Sequence, residues 1–389
     1  MAEMSYICAM LRKLLIKYLD RPSWPAVAVD VVFITMLTFG FLWLLEYDPY
    51  SILEPTGDFS SGDYYDRLYH RNVDLPVDTN VVIVATDDIS AAGMPDALRL
   101  VASFEPAAIG LDLIFRTQGS VTDDLLDVID SIPIIVLPVE LAYDDATDRL
   151  YRGHPSLVDS ELPDKPYATV SFPPLALHST LREFFITARL ADGDSIQSMA
   201  SALCRLKNPS LSIPREDTQM INFNLTTPEL LSITDLADPD KRDIVSFLLK
   251  DKIVLMGDAD SPYDHISTSI SDRMPGIEVH AAAIATLLQQ QPVRQLHRGW
   301  LLFISILFIT ATAVICAKFD EDADLTKNFS LLGLKFFFIA VILVGGYWLY
   351  VHYALRADFS KSIALVFFSM MVCDFWFPIK HYLKDKLKK

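Results

Sequence analysis

Residues 251–290 read DKIVLMGDADSPYDHISTSISDRMPGIEVHAAAIATLLQQ. The stretch opens on a short β-branched apolar run, Lys252 to Met256. It closes that run with Gly257 and Asp258, and it ends on a long apolar helix pattern, Val279 to Gln290. A short continuous apolar run between turn signals marks a strand buried on both faces, as in a parallel sheet. Two upstream runs read alike: Val81 to Thr86, followed by Asp87 and Asp88, and Ala107 to Leu111, followed by Asp112. A fourth, Ile132 to Val139, contains Pro138 near its end. Between these runs lie helix patterns, Pro95 to Ser103 and Val121 to Ser131, the second with Leu125, Leu126, Val128 and Ile129 on one side. Strand alternating with helix predicts βαβ units. Residues 167–224 read as extended segments and turns, so the expected fold is an α/β domain with a mixed, largely parallel sheet.

Outward from this core, the chain becomes apolar. Of 389 residues 51% are hydrophobic, with the excess near both ends. A bilayer core takes roughly 20 apolar residues of helix. Four runs meet that need: 26–46, 300–317, 331–350 and 363–379. The first carries Asp30 near its start, the third Lys335 and the fourth Asp374; each charge is expected near an interface. Trp24, Trp43, Trp300, Trp348 and Trp376 fall near the run ends, where an apolar ring with a polar N–H is favoured. A cleaved signal peptide competes for the first run, but the run is too long and lacks a small-x-small cleavage site, so a retained anchor is expected.

Arg12, Lys13, Lys17 and Arg21 precede the first run, and Lys380, Lys384, Lys386, Lys388 and Lys389 follow the last. Basic residues stay inside, so the segments 1–25 and 380–389 are expected in the cytoplasm. Residues 47–298 are then outside the membrane. Met4 to Leu19 is patterned either as an amphipathic helix on the inner leaflet or as a frayed end.

The net charge is −17, of which residues 47–298, with 39 acidic and 19 basic side chains, supply −20. Such a surface repels phosphates and argues against a nucleic-acid partner. Among Cys8, Cys204, Cys316 and Cys373 only Cys204 falls within 47–298, so that domain has no internal disulfide. About 250 residues bury enough surface to stand without one.

In open α/β sheets the ligand crevice lies beyond the carboxyl ends of the strands. Asp87, Asp112 and Asp258 end three of them; Asp260, Asp264 and His265 follow closely, and Glu278 and His280 begin the last helix. These residues read either as a ligand or cation site or as caps on helix N-termini, where Asp is favoured. Asp264 and Thr268, with Asp258 and Asp260, have the oxygen ligands a hard cation takes, without a calcium-loop pattern. His280 reads as a hydrogen-bonded structural residue before a metal ligand, because no His-x-x-x-His or Cys-x-x-Cys spacing accompanies it. No metal ligand and no cofactor is assigned. Without a Gly-x-Ser-x-Gly elbow or a Gly-rich phosphate loop, no catalytic residue is assigned either.

The blocks NVVIVATDDIS (80–90), AAIGLDLIF (107–115), DKIVLMGDADSPYDHIST (251–268) and MPGIEVHAAAIATLL (274–288) together resemble the CHASE family of the second type, bacterial extracytoplasmic sensory domains. The most specific positions are Gly257, Asp264, Thr268, Pro275, Gly276, Glu278, His280 and Ala281. The resemblance spans nearly all of 47–298, and one helix before the domain and three after it match the family layout. It implies a receptor module, with dimerisation as the usual way to signal. Members usually feed a cytoplasmic histidine kinase, a nucleotide or diguanylate cyclase, or a Ser/Thr kinase. Here only KHYLKDKLKK (379–389 less its first residue) follows the fourth run, and no output domain fits it. Gly93 precedes Met94-Pro95 where an aromatic is expected, and 187–220 is weakly patterned.

Two functions are expected on this basis. One is a non-enzymatic sensor subunit, with Asp87, Asp112, Asp258, Asp264, Thr268, Glu278 and His280 as the ligand-binding set, acting as a homodimer or hetero-complex with a separate signalling protein. The other is a scaffold or assembly subunit of a membrane complex. A periplasmic metal-dependent enzyme is a third and weaker reading.

Overall fold

The structure, a computed structural model, describes residues 24–44, 61–87, 89–116, 121–153, 156, 158, 161–174, 180–261, 264–319, 325–357 and 359–388. The amphipathic pattern at Met4 to Leu19 and the strand-end residue Asp88 lie outside them. The chain divides into a central unit, Asp63–Arg294, and a helical unit built from both ends of the sequence.

In chain order the elements are α1 (Trp24–Leu44), α2 (Ser61–Asn72), β1 (Val77–Ala85), α3 (Met94–Ser103), β2 (Ala108–Asp112), α4 (Asp123–Ser131), β3 (Ile135–Val139), β4 (Leu141–Asp144), β5 (Arg149–Arg152) and β6 (Tyr167–Thr169). There follow β7 (Glu183–Phe185), β8 (Thr187–Arg189), β9 (Ser195–Gln197), α5 (Met199–Lys207), β10 (Thr218–Met220), β11 (Thr227–Ser232), α6 (Ile233–Ala237), α7 (Arg242–Leu249) and β12 (Ile253–Gly257). The series ends with β13 (His265–Ile266), β14 (Met274–Pro275), α8 (Gly276–Gln289), α9 (Arg298–Phe319), α10 (Leu325–Tyr353) and α11 (Ser360–Lys388).

The core of the central unit is a six-stranded sheet in the order β11-β1-β12-β2-β3-β6. Every pairing in it is parallel. The antiparallel pairs, β4·β5, β7·β10, β8·β9 and β13·β14, form separate small ribbons. Successive side chains alternate between faces. Val81, Ile83, Ile253 and Leu255 pack with Leu203 of α5 and Ile284 of α8. Val82, Val84, Val254 and Met256 pack with Leu98 of α3, Leu125 of α4 and Leu249 of α7. Both faces are therefore covered, which is why the strands read as unbroken apolar runs.

Gly110 makes the first layer possible: a Cβ there would lie 2.6 Å from Leu203 Cδ1 and 2.9 Å from Leu255 Cδ2. Local signals start the helices. Thr122 caps α4, Ser198 caps α5, and Ser232 forms a capping box with Asp235 on α6. The region 167–224, expected to be extended segments and turns, holds short strands and also the helix α5.

α2 is polar, and charge fixes it to the central unit. Asp63, 2% exposed at its side chain, accepts two hydrogen bonds from Arg182, at 3.0 and 2.7 Å. Arg67 bonds Asp272 and the carbonyl of Ser269, and Nδ1 of His70 lies 3.2 Å from Asn224 Oδ1.

Among the described residues of the helical unit three helices are long and apolar enough to cross a membrane, at Gly299–Cys316, Phe336–Tyr353 and Ser362–Lys380. These correspond to the expected runs 300–317, 331–350 and 363–379. The fourth expected span, 26–46, is described as far as residue 44, where it is helical as α1, with a shorter apolar stretch, Pro25–Thr38. Val27 and Ile34 of α1 pack with Ala313 and Cys316 near the end of α9 and with Cys373 and Phe377 late in α11. α1 therefore runs antiparallel to both, and its first residues lie at the same end of the bundle as the close of α11. Phe303, Phe336, Val344 and Phe375 are exposed along the helices, an apolar surface of the kind that lipid solvates.

Asp30, expected near an interface, is 1% exposed within the helical unit. Its carboxylate accepts hydrogen bonds from Lys380 Nζ at 2.5 Å and Trp376 Nε1 at 2.9 Å, and Phe33 packs on the Trp376 ring with centroids 4.1 Å apart. A carboxylate among apolar helices is stabilised by a cation and a donor close by. Lys380, read from sequence as part of the basic tail, is that cation.

Candidate functional site

Parallel register brings the strand ends into one row. Ser232, Ala85, Gly257 and Asp112 stand side by side across β11, β1, β12 and β2. Asp87 and Asp258 lie just past this row. Asp87 Oδ1 accepts from the backbone N–H of Ala259 and of Asp260, both at 2.9 Å. Asp258 Oδ1 accepts from Asp260 N at 3.1 Å and Ser261 N at 2.8 Å. The two carboxyls also bond each other. For Asp87 burial acts upward, but the bonds from Asp258 and the turn amides outweigh it, so its pKa is lowered. That same bond, followed by burial, raises Asp258. Of the two, Asp258 keeps its proton to the higher pH, and both side chains fix the turn after β12.

Asp112, 14% exposed at its side chain, is pushed up to about 7 by burial alone. Nε2 of His280 lies 3.9 Å from Asp112 Oδ2 and 3.1 Å from the carbonyl of Val170. A carbonyl only accepts, so Nε2 carries the proton. Phe172 stacks on the imidazole with centroids 4.6 Å apart. Burial pushes His280 down to about 4, ahead of the opposing pull of Asp264, so the ring is neutral at pH 7.

The Asp264 carboxylate lies over the first turn of α8. A Cβ on Gly276 would sit 2.8 Å from each of its oxygens, and Gly276 N donates to the Asp264 carbonyl at 3.0 Å. Only glycine leaves room there, and the helix N-terminus favours the negative charge. Loss of hydration around the carboxyl, then the charge of Asp112, raises Asp264 to about 6. Glu278, half-buried in the same first turn, is raised by burial, with His265 acting the other way. Thr268, fully buried, bonds within its own turn: its hydroxyl donates to Ser271 O at 3.1 Å and accepts from Ser271 N at 3.2 Å.

The structure therefore brings Asp87, Asp112, Asp258, Asp264 and His280 together beyond the strand ends. Glu278 stands beside His265, and Thr268 is engaged in its own turn. Among the described residues no group of three or more His, Cys, Asp or Glu side chains is arranged to hold a metal ion. What the arrangement can do chemically is hold protons near neutrality on Asp112 and Asp264 beside a neutral imidazole. Sequence reasoning missed Val170 and Phe172, which orient His280. They sit in an irregular stretch far from it in sequence, with no spacing signal to link them.

In sequence the α/β domain lies between apolar helices, three of them long and apolar enough to cross a membrane among the described residues. A family model described as the CHASE2 domain matches residues 9–316, and the chain belongs to that family of extracytoplasmic sensor domains. The match reaches past both sides of the central unit, to take in α1 and most of α9. No curated protein and no solved structure matches the chain.

Proposed function

We propose that this protein is a non-catalytic sensor subunit of a bacterial cytoplasmic membrane, with residues 47–298 outside, both termini inside, and α1 as a fourth crossing. A cue met by the central unit is handed to a separate signalling protein. The observation that carries this reading is the bond of Asp30 to Lys380 and Trp376. It ties the helix that leads into the sensory unit to the helix whose basic continuation ends beside the cytoplasm, giving a stimulus a covalent and ionic route inward. The ligand-binding residues in this reading are Asp87, Asp112, Asp258, Asp264, Thr268, Glu278 and His280. A second reading, a scaffold subunit of a membrane complex, draws on the exposed apolar faces at Phe336, Val344 and Phe375, which partner helices would cover.

Cross-linking in native membranes separates the two. A kinase or cyclase held by α11 supports the sensor, and a fixed assembly without a signalling enzyme supports the scaffold. Orientation is tested with single reporters, Asp145→Cys and Lys386→Cys, in a chain whose own cysteines are replaced. An impermeant maleimide is expected to label the first in intact spheroplasts and the second only after permeabilisation. The reverse pattern overturns the sensor reading.

A further inference from the structure

A pocket of about 470 Å³ lies away from the strand-end carboxylates, at the β6 edge of the sheet. That volume falls within the roughly 300–1,000 Å³ of small-molecule sites. Val136 and Val139 of β3, Ile196 of β9 and Leu206 of α5 supply apolar lining, with Ser195 and Gln197 beside them. Two guanidinium groups also line it, Arg152 at the end of β5 and Arg205 on α5. Residues 202, 205 and 206 share one face of α5 by helical spacing, so Arg205 and Leu206 are presented to the pocket together above Ala202.

The arginines supply the charge. Arg152 and Arg205, like Arg71, Arg149, Arg215, Arg242, Arg273 and Arg294, form no ion pair among the described residues; what sets these two apart is that both line one pocket. Glu140, whose carbonyl accepts from Gly153 N next to Arg152, has its carboxylate paired with Arg116. Two uncommitted guanidiniums beside an apolar floor form a site for an anion with an apolar body, because a guanidinium matches a carboxylate in charge and in geometry.

We propose that this pocket binds a small organic acid, its carboxylate held by Arg152 and Arg205 and its apolar part against Val139, Ile196 and Leu206. This goes beyond the sensor reading, and the binding can be measured without any signalling partner.

The test uses the full chain in zwitterionic lipid nanodiscs, with phenylacetate as the probe, followed by saturation-transfer NMR and competition. Empty nanodiscs correct for partition into lipid. Phenylacetate is expected to bind, and its neutral analogue phenylacetamide to bind about tenfold more weakly or worse. Arg152→Gln and Arg205→Gln are each expected to weaken phenylacetate by about tenfold or more. Ala202→Phe, which fills the pocket without changing charge, is expected to abolish binding. Arg215→Gln, an exposed arginine outside the pocket, is expected to leave it unchanged. Far-ultraviolet circular dichroism checks that each variant is folded. Equal binding of acid and amide, wild-type binding in both arginine variants, or no binding in the millimolar range overturns the proposal. Inorganic phosphate that binds and displaces phenylacetate at equal concentration would show a bare oxyanion site and overturn the organic-acid assignment. Failure of any of these leaves the orientation and cross-linking results untouched, so the two readings fail separately.

Discussion

Asp112 and His280 stand 3.9 Å apart and have opposite proton preferences. Burial raises Asp112 to about 7, so the folded state holds its proton more tightly than the unfolded chain does. Its contribution favours the folded state at low pH and is lost as pH rises from the ordinary carboxylate range through about 7. Burial lowers His280 to about 4, so the folded ring resists a proton that the unfolded chain accepts below about 6.5. Its contribution is lost as pH falls from 6.5 to 4. Between pH 4 and 6.5 the two slopes oppose each other. Asp112→Asn mimics the protonated acid and removes one slope. Thermal unfolding of this variant is expected to match the natural protein near pH 4 and to exceed it increasingly toward pH 8, by roughly 4 kcal/mol at most. A difference that does not grow with pH would show that Asp112 is charged in the folded state throughout.

At the scale of elements, α2 is held by charge where the sheet helices are held by apolar packing. Arg182→Met removes the cation from an almost fully buried Asp63, a loss expected to cost about 3–5 kcal/mol. Hydrogen exchange should quicken first in Ser61–Asn72, while β1 and β12 stay protected. Uniform loss of protection would show instead that α2 and the sheet melt as one unit. The same contrast explains what could be read from sequence. Val81 to Thr86, Ala107 to Leu111 and Lys252 to Met256 lie within or beside β1, β2 and β12, because burial on both faces leaves an unbroken apolar run. The helix pattern Val279 to Gln290 is α8, begun three residues earlier at Gly276. The edge strand β11 was not legible: Leu230 is 53% exposed, and Pro228 and Glu229 break the apolar run. The candidate site was legible as a set of strand-end carboxylates, since topology puts such residues together. The use that Asp87 and Asp258 make of turn amides depends on loop geometry that spacing does not encode. The partners of Asp63 and His280 lie more than a hundred residues from them in sequence, at 119 and 110 positions.

For the whole molecule, Asp30 and Lys380 join the two ends of the chain inside one helical unit. Lys380→Met leaves a buried carboxylate without its cation, and restoring the pair in reverse, Asp30→Lys with Lys380→Asp, tests whether pairing or identity matters. The single variant is expected to lower the melting temperature in detergent and the charge-swapped double to recover most of it; no recovery would assign the loss to Lys380 packing on Phe377, whose ring centroid is 5.9 Å from Nζ. The order of the sheet has a consequence of a different kind. β12 lies between β1 and β2, yet it is made after both, and after β3 and β6. During synthesis and export the sheet therefore waits for its middle piece, with two inner edges open and able to pair with other chains. A nascent chain halted before Ile253 is expected to need a holding chaperone at the exit face, and one halted after Gly257 to need it far less.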